Sequence, residues 1–163
     1  MSMNAPERDP NAASGRFADY LQAHKDLMMR DWLARARADS EVLSDAMTQV
    51  ELLDHVPKIF DAMVQELRDR CSVTKSDVQE ITARHTVIRW VQRYDLRAVL
   101  CEMSLLRTEF VRHLLAFEEK NKDLGSEARL LNATTIHRIL DDIVVDATDT
   151  FLKLKDRADA DEA

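Results

Sequence analysis

Glycine and proline are scarce in this 163-residue chain, which contains two glycines and three prolines. Two of the prolines, Pro6 and Pro10, lie within the first ten residues. A fold with many strands needs a turn about every ten residues, and such turns draw on these two residue types. Their scarcity disfavours a β fold. The content of 33% charged and 45% apolar residues is typical of amphipathic helices, so we predict an all-α protein.

Cysteine pairs, basic clusters and long apolar runs are also lacking, and each absence excludes a class of function. Cys71 and Cys101 lack the CxxC spacing of a zinc site or a disulfide framework. The net charge of −7 argues against nucleic-acid binding. No segment approaches the roughly 20 apolar residues of a membrane span, and the N-terminus lacks an apolar signal-peptide core. We therefore expect a cytoplasmic protein with no metal, nucleic-acid or membrane contact.

Helical periodicity assigns residues 15–155 to a single predicted domain. The first helix is expected to run from Ser14 or Gly15 to about Arg37. Residues 1–14 are predicted to form a disordered lead-in, and residues 156–163 an acidic tail. Because the connections are short, neighbouring helices should be antiparallel, in a bundle of about five to six helices.

Capping residues predict several helix boundaries. Thr48 and Ser76 each open a capping box, since a Glu or Gln follows three residues later. Pro57 is expected to kink or split the helix in which it lies. Asp95 is expected to cap a long helix, and Gly125 to end it before the last helix begins.

The last predicted helix carries an apolar seam whose members alternate three and four residues apart. Such a near-heptad seam docks along a partner helix, in the same chain or in another. We assign it to the contact of a homodimer. Its residues are Ala133, Ile136, Leu140, Ile143, Ala147 and Leu154, with Thr150 completing the spacing between the last two.

Charged residues among apolar positions mark a candidate site. His85 is interpreted as a core histidine rather than a haem or metal ligand, because a metal site needs several converging ligands. Glu102 lies on an otherwise apolar helix, and a buried carboxylate must be paired because an isolated one costs several kcal/mol. Arg89, one turn after His85, is the predicted partner. Together with Arg107, these residues form either a structural clamp or the polar site of a pocket.

Catalytic chemistry has little support in the sequence. There is no Gly-rich phosphate loop, no serine elbow and no pair of carboxylates in a cleft-like context. We therefore do not predict an enzyme. His113 also lies near an apolar stripe, where it could face a pocket.

Four stretches, taken in order, resemble the N-terminal sensory domain of RsbR-type proteins (RsbT co-antagonists), which also occurs at the front of some bacterial histidine kinases. They are DWLARARADSEVL, VELLDHVPKIFDAMVQELR, HTVIRWVQRYDLRAVLCEMSLLR and HRILDDIVVDATDTF, and they cover roughly residues 31–151. The run from His85 and Arg89 through Tyr94 to Glu102 and Arg107 is the best signature. In relatives, glycines usually stand where this chain has Thr86 and Arg93, and an aromatic residue where it has Met103.

The resemblance implies a helical, globin-like input domain that is usually dimeric and usually lacks haem. Such domains are not enzymes; they modulate an attached or associated output module or regulatory protein. Two alternatives stay open. One is a haem- or gas-binding sensor with His85 or His113 as axial ligand, and the other is a free-standing interaction module that sequesters a regulatory protein.

Overall fold

The computed structural model describes residues 9–39, 56–69 and 73–161, and every regular element in these ranges is a helix. The all-α prediction is thereby confirmed. No helix in these ranges is both long and apolar enough to cross a membrane. The helices are α1 (Pro10–Ala23), α2 (Lys25–Ala38), α3 (Val56–Arg68), α4 (Lys75–Val91), α5 (Leu96–Lys120) and α6 (Ser126–Asp161).

α1 begins earlier than the sequence predicted. The Asp9 side chain accepts a hydrogen bond from the backbone N–H of Asn11 at 2.9 Å. Pro10 occupies the first helical position, where its missing N–H removes no intrahelical bond. The predicted lead-in to residue 14 is therefore wrong from Pro10 onward, and the overlooked signal is this Asp-Pro pair.

His24 separates α1 from α2, although the sequence predicted one helix to about Arg37. The backbone of His24 leaves the helical region, with φ −109° and ψ 11°. Its Nδ1–H donates to the carbonyl oxygen of Tyr20 at 2.7 Å, so the side chain satisfies a carbonyl near the end of α1. Because neither glycine nor proline marks this break, the sequence contains no ordinary signal for it.

The starts of α3 and α4 differ from the predicted ones. Pro57 lies in the first described turn of α3 and does not interrupt the backbone hydrogen bonds that follow, while the residues before Val56 lie outside the described ranges. The predicted capping box at Thr48 lies outside the described residues. α4 is capped by Thr74, whose Oγ1 accepts from the backbone N–H of Asp77 at 3.1 Å, while Asp77 accepts from the backbone of Thr74 at 2.8 Å. This capping box begins two residues before the predicted Ser76.

The boundaries of α5 and α6 are partly as predicted. Asp95 caps α5, and its side chain accepts from a backbone N–H of the first turn at 2.7 Å. α5 ends where the side-chain amide of Asn121 donates to the carbonyl of Phe117 at 2.8 Å. The carbonyl of Gly125 accepts from the backbone N–H of Arg129 at 3.2 Å, which places Gly125 at the N-cap of α6. The prediction that Gly125 ends α5 is therefore wrong.

Arg93, in the turn between α4 and α5, has a left-handed backbone with φ 67°. This conformation costs an L-residue roughly 1–2 kcal/mol, because Cβ approaches the following carbonyl oxygen. It is also the position at which RsbR-type proteins usually have glycine.

We expect Arg93→Gly to raise the free energy of unfolding by about 0.5–1 kcal/mol. Glycine adopts positive φ without steric cost, although its greater freedom in the unfolded chain removes part of the gain. Urea denaturation measures the change. Arg93→Ala, which removes the same side chain but keeps Cβ, is the control and should show no gain; an equal gain in both variants would contradict a backbone origin.

The directions of the helices follow from their ion pairs. α5 runs antiparallel to α6, since Arg107 pairs with Asp141 and Arg129 with Glu118.

α4 packs against α6 and runs parallel to it. Glu66 contacts both Val73, just before α4, and Arg138 in the first half of α6, whereas Trp90 near the end of α4 packs on Phe151 further along α6. α1 packs on α3 and α6, and α2 packs on α5.

The apolar seam of α6 packs inside the chain. Ile136, Leu140 and Ala147 are 0% exposed, and Ile143 is 2% exposed. Ala133 and Leu154 are half-buried. The near-heptad spacing correctly indicated helix docking, but α6 docks on helices of its own chain, so the four buried positions are not the exposed surface that a dimer contact requires.

α6 continues beyond the core. Phe151 is its last buried residue, and residues 152–161 are exposed or half-buried. The stretch predicted as an acidic tail from residue 156 is helical up to Asp161. At a rise of about 1.5 Å per residue, these last residues lengthen the helix by about 15 Å.

Candidate functional site

A buried salt bridge joins the end of α4 to the start of α5. Arg89 Nε donates to Glu102 Oε2 at 3.0 Å, and Arg89 Nη2 donates to Oε1 at 2.5 Å. This is the parallel, two-bond geometry in which guanidinium and carboxylate groups fit each other best. His85 Nε2 donates to Glu102 Oε2 at 3.1 Å. The structure thus brings together three of the four residues that the sequence predicted as a polar cluster.

The helical positions of these side chains explain why they meet. His85 and Arg89 are four residues apart and share one face of α4. Glu102 lies in the second turn of α5, after the Asp95 cap and the short turn that reverses the chain. Exposure is 1% for His85 and 0% for both Arg89 and Glu102. The cluster is sealed from solvent, which favours the structural clamp over the open pocket site.

Aromatic and amide groups surround the salt bridge. Arg89 Nη1 donates to Gln92 Oε1 at 2.8 Å, and the guanidinium lies 5.2 Å from the centre of the Tyr94 ring. The backbone N–H of Tyr94 donates to the carbonyl of Arg89 at 2.9 Å. Trp32 Nε1 donates to the carbonyl of Glu102 at 3.5 Å. Arg89 therefore organises the α4–α5 turn as well as neutralising the carboxylate.

The cluster fixes the charge states of its members. Burial by itself raises the pKa of Glu102, but the charge and hydrogen bonds of His85 and Arg89 outweigh burial and hold this pKa below its ordinary value. Burial, and then the charge of Glu102, raise the pKa of Tyr94 to about 12, although Arg89 acts in the opposite direction. At neutral pH the carboxyl group is therefore ionised and the phenol is neutral.

The lowered pKa of Glu102 predicts that stability falls in acid. The folded protein favours the ionised carboxylate more strongly than the unfolded chain does. Ionised Glu102 therefore contributes to the free energy of unfolding above the ordinary pKa of 4.5, and this contribution is lost as the pH falls through the folded pKa. We expect Glu102→Gln to flatten the loss of unfolding free energy below pH 4.5, measured by urea denaturation across a pH series. The exposed Glu119→Gln is the control and should keep the wild-type slope. A wild-type slope in Glu102→Gln would contradict the prediction.

Arg107 lies apart from the cluster. Its Nη2 donates to Asp141 Oδ1 at 2.5 Å, and its side chain is 32% exposed. Arg107 follows Glu102 by five residues, which places it about 140° around the helix. The prediction that Arg107 joins the polar cluster is therefore corrected: it links α5 to α6 at the surface.

The geometry also bears on the two candidate haem ligands. His85 Nε2 is bonded to Glu102, and the 1% exposure of His85 leaves no approach for a ligand. His113 lines a cleft of about 300 Å³, at the lower limit of ligand pockets. Within the described ranges, no three His, Cys, Asp or Glu side chains converge in the way that a metal ion requires.

Two further buried carboxylates escaped the sequence analysis. Glu66 is 6% exposed and accepts from Arg138 Nη2 at 2.6 Å. Glu109 is 0% exposed and pairs with Arg35 at 2.6 Å and with Arg112 at 3.2 Å. The signal was available, because both glutamates occupy positions within the apolar stripes of their helices.

A cleft of about 500 Å³ lies between the α4–α5 turn and the projecting end of α6. Tyr94, whose ring centre lies 5.2 Å from the Arg89 guanidinium, also lines this cleft. The Tyr94 hydroxyl is buried and has no hydrogen-bond partner among the described residues. The other lining residues are Trp90, Val91, Arg93 and Ala158.

No protein-family model, no curated protein and no solved structure matches the chain. The resemblance to RsbR-type sensory domains therefore stays a prediction from the stretches quoted above.

Proposed function

We propose that this chain is a non-catalytic signal-input domain of the kind used in bacterial stress or two-component signalling. The buried His85–Arg89–Glu102 cluster holds the α4–α5 turn in place, and α6 carries a change at this turn to an attached output module or a separate regulatory protein. The main observation behind the proposal is that Tyr94 contacts Arg89 and also lines the cleft that includes Ala158 on α6.

A buried ion pair is suited to such a role because it is costly to disturb. Removing one partner leaves an uncompensated charge inside the protein, so intact and broken arrangements differ by several kcal/mol. A ligand or partner protein that favours one arrangement shifts the population of the two. The cluster would then act as the element with two states, and Tyr94 as its contact with the rest of the domain.

α6 is suited to carry the change outward. It packs in the core up to Phe151 and continues as one helix to Asp161. A displacement at the α4–α5 turn can therefore appear as a movement of a packed helix, which is a common way for a domain to transmit a signal.

The proposal is tested by measuring the distance between the α4–α5 turn and the end of α6. Spin labels are attached at Val91→Cys and Lys155→Cys, two exposed positions, in a background where Cys71 and Cys101 are serine. Pulsed electron paramagnetic resonance gives the distribution of distances. We expect Glu102→Gln to shift or broaden this distribution. The substitution weakens the salt bridge to Arg89, and Arg89 in turn holds the α4–α5 turn.

Glu109→Gln is the matched control for this experiment. It removes another buried, doubly paired carboxylate of the same helix, so it should destabilise the protein while leaving the labelled distance unchanged. If folded Glu102→Gln protein kept the wild-type distance distribution, the cluster would not act on α6 and the proposal would fail.

The proposal includes a homodimer, because domains of the resembled type are usually dimeric. We place its contact on the outward face of α6, where Val145 is 60% and Leu152 is 46% exposed. Sedimentation at tens of micromolar should give a dimer, and Val145→Asp should convert it to a monomer. A wild-type monomer at this concentration would end the dimer part of the proposal and favour the free-standing interaction module.

A further inference from the structure

A cleft of about 300 Å³ lies where α1, α2 and α5 meet, beside the break at His24. The rings of Tyr20 and His24 are 4.1 Å apart between centres, and the ring of His113 lies 5.9 Å from each. His113 Nδ1 is sealed from solvent without a hydrogen-bond partner in the described part of the chain. Buried polar atoms are rarely left unsatisfied, so this nitrogen marks the cleft as more than a surface irregularity.

Two cations at this cleft keep charge that carboxylates of the chain do not fully neutralise. The Lys120 ammonium lies 5.7 Å from the centre of the Tyr20 ring and forms no ion pair within the described ranges. Arg112 shares Glu109 with Arg35, which lies closer, at 2.6 Å against 3.2 Å. Two guanidinium groups thus share one carboxylate, which leaves one positive charge in excess beside the cleft.

The remaining walls of the cleft are mostly apolar. The Tyr20 ring, Leu27 and Ala116 provide hydrocarbon surface, and Leu27 is 39% exposed. Asp31 adds one negative charge, which is partly balanced by Arg30 at 3.4 Å. A ligand that fits this surface has an anionic group for the cations and an apolar part for the hydrocarbon walls.

We propose that this cleft binds a small organic carboxylate with an apolar body. The carboxylate lies between Lys120 and Arg112, and the body packs on the Tyr20 ring and Leu27. Asp31 repels the carboxylate and so sets its orientation towards the two cations. The site uses none of the residues of the His85–Arg89–Glu102 cluster, so the inference goes beyond the proposed function and does not depend on it.

The proposal is tested by titrating the full chain with sodium benzoate, sodium acetate and inorganic phosphate at neutral pH and constant ionic strength. Amide chemical shifts are followed by nuclear magnetic resonance. We expect benzoate to shift the amides of Tyr20, His24 and His113 saturably, with a Kd on the order of 1 mM. Acetate lacks the apolar body and phosphate lacks both the body and the carboxylate geometry, so both should bind about tenfold more weakly.

Lys120→Gln should weaken benzoate binding about tenfold, the effect of losing one hydrogen bond to a charged group. Lys122→Gln is the matched control, since Lys122 is exposed, lies two residues away and carries the same charge. It should leave the Kd unchanged, and thermal melting checks that both variants are folded. Three results would each overturn the proposal: no saturable benzoate binding, binding of acetate or phosphate as tight as that of benzoate, or equal losses in the two variants.

Discussion

Arg89→Ala is expected to lower the free energy of unfolding by about 3–5 kcal/mol. The substitution removes the guanidinium that pairs with the buried carboxylate of Glu102, and an uncompensated buried charge is among the most destabilising changes known in proteins. It also removes the bond to Gln92 and the packing against Tyr94, which hold the α4–α5 turn. The loss is a large part of the 5–15 kcal/mol by which a typical domain is stable.

Urea denaturation measures this loss, and Arg107→Ala is its control. Arg107 also pairs with a carboxylate, but the pair is exposed to water and should contribute about 1 kcal/mol or less. The double variant Arg89→Met with Glu102→Leu removes both charges together, so it should recover most of the stability. If Arg89→Ala cost no more than Arg107→Ala, the cluster would not be the clamp described here.

Leu140→Ala is expected to lower the free energy of unfolding by about 2–5 kcal/mol, the usual cost of removing a buried leucine side chain. Leu140 is 0% exposed within a single chain. The loss should therefore be the same at every protein concentration. If the seam were instead a dimer contact, the loss would change with concentration, because association adds to stability by mass action.

The experiment compares denaturation curves across a hundredfold range of protein concentration. Leu115→Ala on α5 is the control for the substitution, since Leu115 is 61% exposed and its truncation should change stability by about 0.5 kcal/mol or less. If the loss in unfolding free energy for Leu140→Ala depended on protein concentration, the seam would lie in a dimer interface, and the packing of α6 described above would be contradicted.

Local chemistry made part of this structure predictable. The scarcity of glycine and proline gave the fold class, and Asp95 gave the start of α5. The pairing of Arg89 with Glu102 was predictable because a carboxylate in an apolar stripe requires a partner, and the four-residue spacing of His85 and Arg89 puts both on one face.

Other features depended on a choice between alternatives that are equally compatible with the sequence. Thr74 and Ser76 both open a capping box, and Thr74 caps α4 because the aspartate at its third helical position carries a charge that the helix dipole favours. The break at His24 depends on a side-chain bond to Tyr20 rather than on a turn residue. Heptad spacing on α6 is the same whether the partner helix belongs to the same chain or to another.

The projecting end of α6 has a consequence for amide hydrogen exchange. An isolated helix shorter than about 12–15 residues is marginal in water, so the turns from residue 152 to Asp161 persist only as a continuation of the buried turns before them. Their amide hydrogens should exchange by local opening of these exposed turns, whereas those before Phe151 exchange only when the core opens. The exchange rates of residues 152–161 should therefore report how firmly the last buried turns of α6 are held.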